Sequence, residues 1–246
     1  MRFAVCSLTI GEEYKRSVVL CTVSQVRHAK THGYTRITEQ LPFDDVKREL
    51  QWSKIPLIQK HLKDWDWVAW LDGDVLITNQ ECKIEDFINL VSPDKFLFIG
   101  RDFQGLNSGV FFIKNCPLAH EFLSDVWKFQ GFDRRLFHEQ TAMDQLMATP
   151  KYADGVQVVP HQFINIMNAY DYRMDPRVHW LPGDFCIHFA GIRGEARDQL
   201  QKLYTANSSN DNGGKQRIEA YTLFLKMTSS PRQHFSDANE SLLNRK

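Results

Sequence analysis

The chain has 246 residues, 43% hydrophobic and 24% charged, with thirty basic and thirty acidic side chains. That length suits one large α/β domain with a substantial core, and the cancelled charge leaves no global field to hold nucleic acid or an anionic membrane. No run reaches the ~20 apolar residues of a membrane helix, and five scattered cysteines (Cys6, Cys21, Cys82, Cys116, Cys186) argue against a zinc site or a disulfide framework.

That cysteine usage fits a reducing compartment. A cytoplasmic location is therefore expected unless an N-terminal anchor has been removed, and peripheral contact with a membrane stays compatible with the composition. Met1 to Ile10 lacks the apolar region and cleavage site of a signal peptide.

Arg2 to Ile10 (RFAVCSLTI) reads as the first strand, ended by Gly11. Glu12 to Lys30 follows as a helix with Val18, Val19, Thr22, Val26 and Ala29 along one face. His32-Gly33-Tyr34 turns the chain into a second strand near Thr35 to Gln40. This βαβ opening predicts a parallel sheet with a right-handed crossover. The loop from Ser7 to Gly11 lies at the sheet edge, where a nucleotide base could sit. Ser7 and Thr9 are its candidate contacts, although from this stretch alone a plain strand-to-helix connection is the better reading.

Ser53 is predicted to cap a helix that carries Pro56 in its first turn, with Ile55, Ile58 and Leu62 on one face. Lys54, at the helix start, can reach a phosphate or a base. Trp67 to Leu71 is short, aromatic-rich and bounded by charges, so it reads as a buried strand. It ends on Asp72-Gly73-Asp74. Residues i and i+2 of an extended chain point to the same side, so the two carboxylates can converge on one cation. Gly73 lets the backbone turn and lets a ligand come close. Hard cations such as magnesium and manganese bridge carboxylates to phosphates. The stretch thus suggests a metal-diphosphate site at the C-terminal end of a sheet strand; an isolated Asp-Gly-Asp would otherwise be an acidic turn.

Glu85 to Val91 reads as a short helix and Phe96 to Gly100 as another buried strand. Gly105 and Gly109 bracket Asn107 and Ser108 ahead of an apolar strand. Gly109 permits close backbone approach, and Asn107 offers both a donor and an acceptor. Pro117 to Phe129 is a helix with Leu118, Phe122, Val126 and Phe129 inward. Glu139 to Ala148 is a helix with Ala142, Met143, Leu146 and Met147 on its apolar face. Glu139 and Gln140 stand at its N-terminus, where capping and dipole complementation also account for them.

Val156 to Pro160 reads as a strand, and His161 to Pro182 as a loop offering Asn165, Asn168, Tyr170 and Asp171 to a ligand. Phe185 to Gly194 holds the last strongly apolar strand. Its His188, placed near the two aspartates, would give two oxygen ligands and one nitrogen, suited to manganese. Arg193, just past the strand, could neutralise a phosphate. Glu195 to Ala206 is a helix, Asn207 to Lys215 a loop, and Gln216 to Thr228 a final helix. The expected organisation is one catalytic domain over 1–206 with an appendage over 207–246.

Four stretches together resemble glycosyltransferase family 34, the galactosyl/mannosyl/xylosyl-transferase group. They are Trp52-Ser53-Lys54-Ile55-Pro56-Leu57-Ile58, Trp70-Leu71-Asp72-Gly73-Asp74, Gly105-Leu106-Asn107-Ser108-Gly109 and Glu139-Gln140-Thr141-Ala142-Met143, closed by Ile187-His188-Phe189-Ala190-Gly191. The resemblance implies a GT-A fold, an α/β domain with a single Rossmann-like, mostly parallel central sheet flanked by helices. It implies transfer of a hexose or pentose from a nucleoside-diphosphate sugar to a glycan hydroxyl, with retention and with Mn2+ or Mg2+. A UDP-sugar is the first expectation and GDP-mannose the second. By position, Asp72 and Asp74 fall on the family's metal and sugar-nucleotide motif, with Gly73 between them. His188 falls on the histidine completing the metal site, and Lys54 on a nucleotide-contacting lysine. Asn107, with Ser108 and Gly109, falls on donor contacts, as does Gly191. Gln140 falls beneath the anomeric carbon, Glu139 on an adjacent acidic position, and Arg193 on a basic residue contacting the leaving diphosphate. Two departures stand out: His138 replaces the first of two acids that often precede the glutamine, and the family's usual N-terminal membrane anchor has no counterpart.

Two other classes share parts of this pattern. Haloacid-dehalogenase-type phosphatases also place Asp-x-Asp after an apolar strand, and Asp72 would then be the nucleophile. That motif normally opens its domain, however, and no later acidic pair stands in the expected context. A catalytically silent nucleotide-sugar-binding domain would show the same residues.

Overall fold

Buried central strands are written as continuous apolar runs, because both of their faces are covered. Phe3–Leu8 forms such a strand, β1, in a computed structural model that describes residues 1–39, 48–102, 105–130, 138–164, 166–167 and 180–208. Helices α1 (Glu12–Ser17) and α2 (Val19–His32) lead to strand β2 (Thr35–Glu39). Helix α3 (Lys54–Leu62) precedes β3 (Trp67–Leu71) and β4 (Val75–Ile77), and α4 (Ile84–Ile88) precedes β5 (Leu97–Asp102) and β6 (Gly105–Lys114). Then come α5 (Pro117–Lys128), α6 (His138–Met147), β7 (Val156–Pro160), β8 (Ile166–Met167), β9 (Cys186–His188) and α7 (Gly194–Asn207).

The central sheet has six strands in the order β2-β1-β3-β6-β5-β7, and only β6 runs against its neighbours. Strand alternation splits its apolar side chains between two cores. Val68, Trp70, Phe111 and Ile113 face α3, α5 and α6, where Ile55, Ile58, Leu62, Phe122 and Met143 meet them. Trp67, Ala69, Leu71, Val110 and Phe112 face the other way, onto Phe87, Phe163 and Phe185. A second sheet, β4-β9-β8, continues from the Asp72-Gly73-Asp74 turn, and in it Val75 lies opposite His188. This register is what carries the imidazole to the acids. Among the described residues no helix is long and apolar enough to cross a membrane.

Four expectations are corrected. The helix expected over Glu12 to Lys30 breaks at Val18 (φ −122°, ψ 22°), and α2 turns Cys21, Ser24, Gln25, His28 and Ala29 inward. Val19, Val23 and Val26 are left 46–56% exposed. The reason is hydrogen bonding: Gln25 Nε2 donates to the carbonyls of Asp72 (3.0 Å) and Val75 (2.9 Å), and Ser24 Oγ accepts from the Ile77 N–H (3.0 Å). These backbone groups are buried and need partners that valines cannot supply. Ser53 is not a cap; it has helical dihedrals and ends a 3₁₀ turn, Leu50–Ser53, that runs directly into α3. The Gly105-to-Gly109 motif lies inside β6, opposite a register shift at Ile99/Gly100, and not in a turn ahead of the strand. The expected loop over His161 to Pro182 contains a 3₁₀ turn, His161–Phe163, and β8. Asn165, Asn168, Tyr170, Asp171 and the helix expected over Gln216 to Thr228 lie outside the described residues.

His28 gives the fold a pH dependence. Its Nε2 lies 2.7 Å from the Cys82 carbonyl, and burial pushes the imidazole down to about 4. The unfolded chain therefore binds the extra proton first, between pH 6.5 and 4. Stability from this group is complete above the ordinary histidine value and is lost as pH falls through that window. Urea titrations at pH 7.5 and pH 4.5 should differ by about 3 kcal/mol from this source. His28→Gln should flatten that dependence; an unchanged pH profile would refute the assignment.

Candidate active site

The Asp72-Gly73-Asp74 turn forms the floor of a cavity of about 1140 Å³. One wall is the chain from Leu8 to Ser17 with Gly191 to Asp198. The other is Leu50, Gln51, Asp102, Asn107 and His138 to Gln140.

The turn is fixed by its backbone. The Asp72 N–H donates to the Gly109 carbonyl (2.8 Å), and the Phe189 N–H donates to the Asp74 carbonyl (3.1 Å). Gly73 is required by space: a Cβ there would stand 2.8 Å from the Leu8 carbonyl oxygen and 3.0 Å from Thr9 Cγ2. Gly109 is required more strictly, since a Cβ would stand 2.1 Å from His188 Cε1. The imidazole occupies the room that this glycine leaves.

His188 Nε2 lies 3.3 Å from Asp74 Oδ1 and 3.8 Å from Asp72 Oδ2. One ligand atom from each of the three residues falls within 4.8 Å of the others. Asp72 Oδ1, turned away from this point, accepts from Trp70 Nε1 (2.7 Å) and lies 3.2 Å from Lys54 Nζ. Asp74 Oδ2, also turned away, lies 3.7 Å from Arg197 Nη2. Two carboxylate oxygens and one imidazole nitrogen thus share one point, a donor set that fits a hard or borderline divalent cation such as Mg2+ or Mn2+.

Charge is balanced from behind. Burial alone would raise the Asp74 carboxyl, but the His188 hydrogen bond and charge, then Arg197, hold it below the usual carboxylate range. Burial would lower the His188 imidazole, and Asp74 followed by Asp72 push it up instead. Burial would likewise lower Lys54, yet Asp72 and Glu139 drive its ammonium above the ordinary lysine range. Lys54 is nearly buried and meets Glu139 Oε1 at 2.8 Å and the Ser108 carbonyl at 3.2 Å. Gln140 Oε1 accepts from the Ser108 N–H (2.8 Å). Asn107 spends its amide within the protein, donating to Asp102 (2.8 Å) and accepting from the Gly109 N–H (3.0 Å).

The structure therefore brings Lys54, Asp72, Gly73, Asp74, Asn107, Ser108, Gly109, Glu139, Gln140, His188, Gly191 and Arg193 around one cavity. It does not bring Ser7 or Thr9 to it. Alternation along the first strand presents Leu8 and Ile10 to the cavity, while Ser7 is fully buried and Thr9 packs beneath Gly73. His138 lines the cavity in a left-handed backbone conformation (φ 38°), with Nε2 3.4 Å from Glu49 Oε2. Sequence reasoning missed Arg197, which donates to the Ile192 carbonyl (2.6 Å) and to Ser17 Oγ (3.0 Å) and lies over the Tyr14 ring at 5.3 Å. The available signal was its position one helical turn after Arg193.

Solved structures share this architecture. A glycosyltransferase involved in the glycosylation of the major capsid of PBCV-1 superposes with a TM-score of 0.67 at 19% identity, covering 82% of this chain and all of that one. The glycosyltransferase GlyE of Streptococcus pneumoniae TIGR4 gives a TM-score of 0.58 at 16% identity, covering 96% of this chain and 67% of that one. The fold class is thus that of the GT-A glycosyltransferases. The chain belongs to the galactosyl transferase GMA12/MNN10 family, glycosyltransferase family 34, whose model matches residues 11–96 and 88–199.

Among curated relatives, an uncharacterised alpha-1,2-galactosyltransferase of Schizosaccharomyces pombe is 28% identical over 206 residues, 67% of this chain and 53% of that protein. A second alpha-1,2-galactosyltransferase of the same yeast is 26% identical over 216 residues, 67% of this chain and 53% of that protein. A probable glycosyltransferase of Oryza sativa subsp. japonica is 29% identical over 231 residues, 77% of this chain and 48% of that protein. The chain spans about half the length of the curated relatives it matches.

Proposed function

We propose that this chain is a metal-dependent glycosyltransferase that moves a hexose, galactose first, from a uridine diphosphate sugar to a hydroxyl of a glycan with retention of configuration. The observation that carries this reading is the meeting of Asp72, Asp74 and His188 on one point beside the buried Lys54. Family membership and the names of the yeast relatives support it.

Asp74 and His188, helped by Asp72, would hold a divalent cation, with Mn2+ favoured by the mixed oxygen and nitrogen donors. When bound, that cation supplies Lewis-acid charge against the departing diphosphate. Lys54, fixed by Glu139 and Asp72, adds positive charge where negative charge develops, and the exposed Arg193 at the cavity edge adds a second cation. Gln140, its carboxamide oxygen anchored on the Ser108 N–H, steadies the charged sugar from below. Glu139 is engaged by Lys54 and accepts from Ser108 Oγ at 3.2 Å, so it serves better to hold the lysine than to take a proton. The attacking hydroxyl enters on the face that the diphosphate leaves.

Incubation with UDP-galactose, UDP-xylose or GDP-mannose, with Mn2+ or EDTA, tests the reading through release of nucleoside diphosphate. Release of UDP only with metal is expected. Binding of UDP-galactose without any turnover would instead indicate a silent binding domain. Hydrolysis of p-nitrophenyl phosphate without sugar transfer would indicate the phosphatase with Asp72 as nucleophile.

A further inference from the structure

The cation-facing geometry of Asp72 rests on a residue that stands in the protein core. Trp70 precedes Asp72 by two positions at the end of β3, so its side chain leaves the same side of the extended chain. The indole is 1% exposed and stacks on Phe111, with ring centroids 6.4 Å apart. Its one donor, Nε1–H, reaches Asp72 Oδ1 at 2.7 Å, the closest group recorded to that oxygen. Lys54 Nζ is the other partner of Oδ1, at 3.2 Å, but it is shared with Glu139 at 2.8 Å and with Ser108. Lys54 Nζ also lies 5.4 Å from the Trp70 ring centre, so the indole underlies both groups.

Asp72 is the most exposed of the three cation-facing residues, with 27% of its side chain open against 11% for Asp74 and 6% for His188. Packing therefore holds it least. A hydrogen bond from a rigid, buried donor is what fixes its carboxylate plane, leaving Oδ2 turned toward Asp74 and His188. We infer that Trp70 is a positioning residue that presets Asp72 for the cation, and that its N–H sets cation affinity without touching the cation. The inference rests on the proposed cation site.

The test separates the N–H from the shape of the ring. Trp70→Phe deletes the donor and part of the volume. Incorporation of 3-benzothienyl-alanine at position 70 deletes the donor and keeps the volume, because sulfur replaces the ring N–H. Mn2+ affinity is read from the loss of the free-Mn2+ spin-resonance signal in the presence of UDP, and thermal unfolding is followed in EDTA. Both variants should bind Mn2+ roughly 10- to 100-fold more weakly, the usual effect of removing a hydrogen bond behind a metal ligand. The benzothienyl variant should unfold within a few degrees of the parent and regain its turnover number at saturating Mn2+. Parental Mn2+ affinity in the benzothienyl variant would overturn the inference. Absence of Mn2+ binding by the unmodified protein would instead overturn the cation site itself.

Discussion

Replacing Asp74 with alanine is expected to lower metal-dependent sugar transfer on the order of a thousandfold, since several kcal/mol of leaving-group stabilisation pass through the cation it would hold. The side chain is engaged at both oxygens, Oδ1 by His188 and Oδ2 by Arg197, and is almost fully buried. Alanine therefore leaves a guanidinium in the interior without its counter-charge. Breaking a buried pair in this way costs about 3 kcal/mol of stability. Asp74→Asn keeps the volume and the contact with Arg197 but removes the negative charge. It should recover only the part of the lost stability that packing and the polar contact supply, and still fail to transfer. Mn2+-dependent release of UDP and thermal unfolding, measured on both variants, check the two statements separately. Retained transfer in a folded Asp74→Ala protein would remove this residue from the site.

Gly109→Ala should be nearly as damaging from a residue that carries no chemistry. Its methyl group would stand 2.1 Å from His188 Cε1 and 2.5 Å from Nδ1. The backbone cannot yield easily, because Val110 beside it pairs with Leu71 of β3 and the Gly109 carbonyl accepts from the Asp72 N–H. The imidazole must leave instead, and it is buried and held by Asp74. Overpacking of this kind costs about 2–3 kcal/mol, and Mn2+ binding should be lost with it. The double variant Gly109→Ala/His188→Ala supplies the decisive comparison. Relative to His188→Ala alone it should lose little further stability, because the clash is gone, and it should show no cation affinity. A full added cost of Gly109→Ala on the His188→Ala background would mean that the strain lies elsewhere.

The main strands were legible in the sequence, and with them twelve of the residues that line the cavity. Val68 to Leu71 and Val110 to Ile113 are buried on both faces, so their apolar runs are uninterrupted and end where cavity-lining residues begin. What escaped was decided by partners distant in sequence. Helix α2 hides Gln25 and Ser24 and exposes its valines, because the backbone around β4 needs hydrogen bonds that no local pattern announces. Ser53 looked like a cap, yet the preceding turn already supplies helical geometry. Ser7 and Leu8 differ by one register step, and only the assembled sheet tells which of them meets the cavity. Arg197 carries no local pattern that singles it out, and only the packing of α7 brings it to Asp74.

The pairing of β4 with β9 also bears on how the protein is made. On the ribosome the two acids emerge well before the imidazole that completes their set. A partly synthesised chain therefore presents a lone acidic turn, which binds dications weakly. Any capture of a divalent cation by these three residues would therefore wait until β9 docks beside β4.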